Sequence, residues 1–327
     1  MTDIGRKTRS SSVTRAIGVL GDRWSILIIR DAFQGARRFK DFLERSGASR
    51  ATLANRLRSL VSHGLFRRVK YQDAPARWEY RLTSKGRDLY ALSLTAWRWE
   101  RRWAPRGAGI PARLHHHECG HPMLPETSCG HCGELLGIHA VSYRDGPGAH
   151  ARVPALAVRS RRLSALTSAD QRGSQTSLTH IADIVGDPWT PLVLAAAFFG
   201  LRRFDDIQRE LGIASNILST RLELLVRQRI FRRQLYSRQP ARWEYRLTDK
   251  GRDLFPYALV LNAWGDRWLA AAAGPPYQLL HRDCGKIIEP VVRCSHCQRA
   301  LLPTAVAAAA PGRSRRGANL AAVSRAV

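Results

Sequence analysis

The apolar positions of the first hundred residues change period where one element gives way to the next. From Val13 to Leu20 they fit a short amphipathic helix, which Gly21-Asp22 breaks. Asp22 is placed to cap a second helix, Trp24 to Phe33, with Trp24, Leu27 and Ile28 on one face. Gly35 ends it, and Arg38-Phe39-Lys40-Asp41-Phe42-Leu43 opens a third helix that stops at Gly47. Ser49 caps a fourth, in which Leu53, Leu57, Leu60 and Val61 make one buried stripe. The period then drops to two. Leu65 to Tyr71 alternates, Gln72-Asp73-Ala74-Pro75 supplies turn chemistry, and Arg77 to Leu82 alternates again, which predicts a β-hairpin. In its second strand Trp78, Tyr80 and Leu82 share the face expected to meet the core, with Arg77, Glu79 and Arg81 on the other. Ser84 to Trp103 reads as one long helix. Its ridge of Leu89, Leu92, Ala96, Trp99 and Trp103 fits an interface, or packing on the domain's own first helix.

This series is written twice. Pro75 to Thr83 recurs unchanged as Pro240 to Thr248, and after one differing residue (Ser84 or Asp249) both copies continue Lys-Gly-Arg-Asp-Leu. The same offset of 165 residues joins Trp24 to Trp189, Cys119 to Cys284 and Cys132 to Cys297, so the chain is a tandem duplication.

The polar face of the fourth helix carries Arg50, Thr52, Asn55, Arg56 and Ser59. Arginine forks onto guanine and asparagine onto adenine in a major groove, although an ordinary solvated helix shows the same residue types. The context favours DNA. A short helix, a glycine-containing turn and a helix with a polar leading end make a helix-turn-helix, and the hairpin becomes a wing whose Arg77 and Arg81 meet phosphate. The second copy offers Ser215, Asn216, Thr220 and Arg221 on its reading helix and Arg242 and Arg246 on its wing. Ala214 replaces the cap Ser49, so that helix is expected to begin at Ser215. Identical wings beside different reading helices imply a shared backbone grip and two base readouts.

Gly21-Asp22-Arg23-Trp24, Arg38-Phe39, the Leu53/Arg56-Leu57 helix and Pro75…Trp78-Glu79-Tyr80-Arg81-Leu82-Thr83…Lys85-Gly86 resemble the HxlR-type winged helix-turn-helix transcription regulators. The second copy matches through Gly186-Asp187-Pro188-Trp189, Arg203-Phe204, Leu218-Ser219-Thr220-Arg221-Leu222 and the repeated wing. The likeness covers residues 13–103 and 178–268. It implies DNA binding as a two-fold dimer, with the first and last helices forming the interface. Many such regulators place a sensing cysteine just before the first helix. Ser11-Ser12 and Thr176-Ser177 stand there instead, which argues against thiol sensing in this chain.

Charge points the same way. Lys and Arg number 53 against 26 Asp and Glu, a net of +27, which calls for a polyanionic partner, nucleic acid before membrane. A codon bias toward arginine would account for part of the excess. The sequence has no apolar run of membrane-spanning length, and Thr2 to Arg15 lacks the apolar centre of a secretory signal, so a cytoplasmic location is expected. No nucleophile–base pair, glycine-rich phosphate loop or paired carboxylates stand at a credible spacing, so enzymatic activity is not expected.

After each winged unit comes His-x2-Cys-x9-Cys-x2-Cys: His116, Cys119, Cys129 and Cys132, then His281, Cys284, Cys294 and Cys297. Four nitrogen and sulfur donors suit a closed tetrahedral zinc site, and each copy is expected to hold one structural zinc. His115 and His117 flank the ligand, but the repeat offset selects His116. A redox dithiol at Cys129 and Cys132, or a decayed site, is the alternative.

The expected fold is mainly α with small β-hairpin wings: two tandem winged helix-turn-helix domains, each followed by a small zinc-binding module. The boundaries are a disordered 1–11, domain 12–110, module 111–136, linker 137–176 with a basic helical turn at 158–166, domain 177–275, module 276–303 and a disordered basic tail 304–327. The expected function is a sequence-specific, double-stranded-DNA-binding transcription regulator, one chain acting as an intramolecular pseudo-dimer on a non-palindromic operator. Its small-molecule effector, if it has one, is not legible. Pairing between chains is the competing assembly, and a zinc-containing module that binds RNA or a protein partner is the competing function.

Overall fold

The computed structural model describes residues 8, 9, 11–105, 110, 113–151 and 178–308. Most of the expected linker, its helical turn at 158–166 and the tail beyond 308 lie outside the described residues. Thr8 is buried and its carbonyl accepts from the Ser11 hydroxyl, so this part of the expected disordered N-terminus is folded.

The first half begins with α1 (Ser12–Leu20), α2 (Arg23–Phe33), α3 (Phe39–Ser46) and α4 (Arg50–Ser62). Asp22 caps α2 by accepting from the Trp24 and Ser25 amides, and Ser49 caps α4 through Thr52. Such caps satisfy first-turn N–H groups that have no partner inside the helix. The wing pairs β1 (Phe66–Gln72) with β2 (Arg77–Leu82) antiparallel, Phe66 opposite Leu82 and Lys70 opposite Trp78. Leu53, Leu57, Leu60, Phe42 and Phe66 are fully buried beneath it.

The single long helix expected from Ser84 is instead two, α5 (Ser84–Arg87) and α6 (Tyr90–Trp103). Thr83 caps α5 through the Gly86 amide, and Gly86 lies so close under Leu65 that a Cβ would strike its carbonyl. That contact pins a short turn of helix to the wing's root before the chain redirects.

The second half repeats the order with α7 (Thr179–Val185), α8 (Thr190–Phe198), α9 (Phe204–Leu211) and α10 (Ser215–Arg227). There follow β7 (Phe231–Arg238), β8 (Ala241–Leu247), α11 (Asp249–Arg252) and α12 (Phe255–Trp268). As expected from Ala214, α10 starts at Ser215 without a side-chain cap.

The two halves pack by exchange: α1 lies on α12, and α7 on α6. The tryptophan ridges sit at this junction, and their indole N–H groups reach across it reciprocally. Trp99 donates to the Lys250 carbonyl at 3.0 Å and Trp264 to the Lys85 carbonyl at 3.1 Å. Trp103 and Arg102 both bond Asp253, as Trp268 and Arg267 both bond Asp88.

One pair of equivalent positions breaks the symmetry. Glu100 is buried and accepts from the Leu178 and Ile181 amides at the start of α7. Its counterpart Gly265 has no side chain, and a Cβ there would collide with the Ser12 carbonyl. At that end of the junction Ser12 instead bonds Asp266, and Arg15 donates to the Leu269 carbonyl.

Short strands complete the exchange. They are β3 (Leu114–His116), β4 (His121–Met123), β5 (Pro125–Cys129), β6 (Val141–Asp145), β9 (Tyr277–His281), β10 (Pro290–Cys294) and β11 (Val306–Ala308). Strand β5 pairs antiparallel with its own repeat, β10, Pro290 opposite Cys129 and Cys294 opposite Pro125. Strand β6 pairs with β9, and β11 with β3. Residues 137–151, expected as linker, are therefore partly a strand of the other half's sheet, and the expected tail begins as one too. The period-two signal in such short segments was too weak to separate them from loop.

Candidate nucleic-acid interface and metal centres

The structure divides the residues proposed for DNA. On α4, Arg50 and Asn55 are exposed and Thr52 half-buried; on α10, Ser215, Asn216 and Thr220 are exposed. Arg77, Arg81 and Arg242 on the wings are exposed, and Arg246 is half-buried. Arg81 bonds Glu79, and Arg246 bonds Glu244 at 2.6 Å, so both are partly committed within their own strands.

Two arginines have another use, and the expectation that they read bases is corrected. Arg221 is buried and its Nε lies 2.8 Å from the Asp187 carboxylate. Arg56 makes the equivalent pair with Asp22 at 3.2 Å, one-fifth exposed. The same aspartates cap α8 and α2, so each arginine ties its reading helix to the helix that supports it. Nothing in the spacing distinguishes an arginine turned inward toward a capping aspartate from one turned out to solvent.

The wing faces are also corrected. Trp78 is 43% exposed and Trp243 41%, whereas Glu79 and Glu244 are buried. The core-facing role falls to Tyr80 and Leu82, both half-buried. Near the tip there is no core left to enter, and Trp78 is instead covered by the Arg68 guanidinium at 4.7 Å from its ring centre. Arg233 covers Trp243 at 4.6 Å, while Arg38 and Arg203 cover Tyr71 and Tyr236. Each wing thus carries two aromatic side chains covered by arginines, a feature the sequence reading missed. Part of its signal was present, in Arg68 and Arg233, which fall on the same strand face as Trp78 and Trp243.

The eight expected metal ligands converge, but in other partnerships than the sequence suggested. His116 and Cys119 face Cys294 and Cys297; Cys129 and Cys132 face His281 and Cys284. Each set takes two ligands from each half, which corrects the expectation of one site per copy. The cause is the stretch between the ligand pairs. Laid out as strand β5 it separates them by about 3.3 Å per residue, too far for one ion, and its antiparallel pairing with β10 delivers the other copy's pair instead.

Within each set the ligand atoms lie within 4.8 Å of one another. The Cys119 and Cys294 sulfurs are 4.0 Å apart, and Cys129 and Cys284 3.9 Å. His116 Nδ1 is 3.4 Å from Cys297 and His281 Nδ1 3.3 Å from Cys132. Zinc–sulfur bonds of about 2.3 Å in a tetrahedron put sulfurs roughly 3.8 Å apart, so the donors fit that ion. Both histidine rings are buried, and among the described residues neither Nε2 atom has a hydrogen-bond partner. His121 and His296 stack face to face at 3.7 Å beside Cys119, and with it form a further, more exposed grouping.

Among the described residues no single helix is long and apolar enough to cross a membrane.

Comparisons with known proteins identify the family of each half. The family model for the HxlR-like helix-turn-helix matches residues 19–108 and again 184–273. An uncharacterized HTH-type transcriptional regulator of Mycobacterium tuberculosis is 42% identical over 153 residues, 47% of this chain and 97% of the relative. A regulator of the same description from Synechocystis is 35% identical over 126 residues, 38% of this chain and 78% of the relative. The solved structure of a transcription-factor candidate from Pseudomonas aeruginosa, PA1374, is 34% identical. It covers 42% of this chain and 93% of its own, with a TM-score of 0.33. The first of these relatives therefore corresponds, almost whole, to about half of this chain.

Proposed function

The chain belongs to the HxlR-like helix-turn-helix family as a tandem duplication, and from that premise we propose that a single chain acts as the family's dimer on an asymmetric DNA site. The relatives are named transcriptional regulators, which supports double-stranded DNA as the partner and regulation of transcription as the role. The observation that carries the single-chain reading is the reciprocal exchange of α1 and α7 between the halves, with indoles bonded across the junction in both directions. The junction's two ends differ chemically. Glu100 holds the amides of α7, while Gly265 admits Ser12, so half one fits half two better than it fits a second copy of itself.

In this reading Arg50, Thr52 and Asn55 face one half-site and Ser215, Asn216 and Thr220 the other. Arg77, Arg81, Arg242 and Arg246 serve the backbone, and the exposed arginine-covered Trp78 and Trp243 lie against it. Two zinc ions per chain occupy the exchanged cysteine–histidine sets and hold the halves together; the ions supply closed coordination and no chemistry. Selection of duplexes from a random pool, followed by titration at several salt concentrations, tests the DNA reading. A single non-palindromic consensus with steep salt dependence is expected. Recovery of no consensus, or tighter binding to single-stranded RNA, would sink it. Elemental analysis of chelator-free protein should find two zinc ions per chain.

A further inference from the structure

The second half contains an apolar cavity that duplication makes conspicuous. About 70 Å³ in volume and open to solvent at its mouth, it is walled by Phe198, Phe199, Phe255, Leu259, Tyr143 and Tyr277. Its wall is built by both halves. Val13 of α1 and the strand β6 come from the first, while α8, α12 and β9 come from the second.

The first half provides an internal comparison. At the positions equivalent to Ala195 and Asn262, both on the cavity wall, it has Arg30 and Trp97. Both of those large side chains are buried. The two copies have thus diverged in bulk at the same place, and the small residues lie where the open space is.

The lining defines what would fit. The wall rings meet edge to face, Phe198 on Phe255 at 5.3 Å, Phe199 on Tyr277 at 5.1 Å and Tyr143 on Phe199 at 5.0 Å. Such rings offer further edges and faces to another aromatic. The lining carries no charged side chain. It has one amide: Asn262 Oδ1 accepts from the Tyr277 hydroxyl at 2.9 Å, and Nδ2 donates to Asp266 at 2.8 Å. An amide has two donors and two acceptor lone pairs, so one of each is left for a guest. We propose that this cavity is a binding site for an uncharged aromatic compound of a single ring carrying one hydroxyl or carbonyl, which meets Asn262. Because α1 and α12 both form its wall, the guest sits where the two halves dock.

The test needs no DNA, so its outcome is independent of the DNA reading. Calorimetric titration of the full chain with phenol is expected to show one saturable site per chain. Asn262→Trp, which restores the first half's residue, and Ala258→Leu on the same wall should each weaken binding at least tenfold. Ser93→Leu, at the position equivalent to Ala258, should leave it unchanged. Should Asn262→Trp fail to fold, Ala258→Leu decides alone. Absence of saturable binding, undiminished binding in the folded pocket variants, or an equal loss in Ser93→Leu would overturn the proposal.

Discussion

Arg221 shows how far a residue's type can mislead. An arginine on the leading half of a reading helix is the natural candidate for guanine, yet here its charge is spent on Asp187 inside the protein. Removing it leaves a buried carboxylate uncompensated, so Arg221→Ala should destabilise the fold by about 3 kcal/mol, read as a loss of melting temperature. Arg56→Ala, in the pair that is one-fifth exposed, should cost less, on the order of 1 kcal/mol. Equal, negligible losses in both would show that these pairs do not hold the reading helices. Glu100 yields a prediction in pH. Burial raises its carboxyl from 4.5 to about 7. Between those values the folded chain keeps a proton that the unfolded chain has released, so this contribution is full below 4.5 and is lost as pH climbs to 7. His180, stacked on Trp99, works in the opposite sense. Burial and then Lys250 lower it from 6.5 to about 4, so its share of stability is lost as pH falls through that window. Glu100→Gln removes only the first effect. The variant should gain on the parent between about pH 5 and pH 8, by at most about 3 kcal/mol. A difference in melting temperature that does not vary with pH would contradict this.

At the level of elements the sequence was easier to read. The four opening helices, their caps at Asp22 and Ser49, and the hairpin all follow from apolar period and cap chemistry, because each is decided by residues close in the chain. The break between α5 and α6 was not legible, since it depends on Gly86 meeting the distant Leu65 carbonyl. The orientation of Trp78 was missed for a related reason: alternation tells which residues share a face, but not where along the strand the core ends. The wings can now be tested as elements. Arg77→Ala and Arg242→Ala remove exposed cations and should weaken all duplexes alike. Each lost phosphate contact should lower the slope of log K against log salt by about 0.9. An unchanged slope would take the wings out of the interface.

For the whole molecule, the repeat offset gave the two domains and all eight donors, but not their partnership. Sequence spacing is blind to which copy supplies the second pair, and only the pairing of β5 with β10 decides it. The exchange implies that stripping the metal should loosen the halves from each other, not merely two small loops. Chelation should expand the particle in small-angle scattering while leaving most helical signal, and an unchanged radius would argue against it. Light scattering should give one chain per particle at 36.7 kDa, and one chain per asymmetric duplex. A stable two-chain particle on a symmetric operator would show pairing between chains instead. Covalent fusion has a further consequence at the junction. In an ordinary homodimer every mutation is made twice, so a glycine that admits one neighbour must appear on both sides. Here Gly265 could arise opposite Ser12 without disturbing Glu100, and Asn262 without disturbing Trp97. Duplication freed each half to be selected for a different task while its partner kept the shared structure in place.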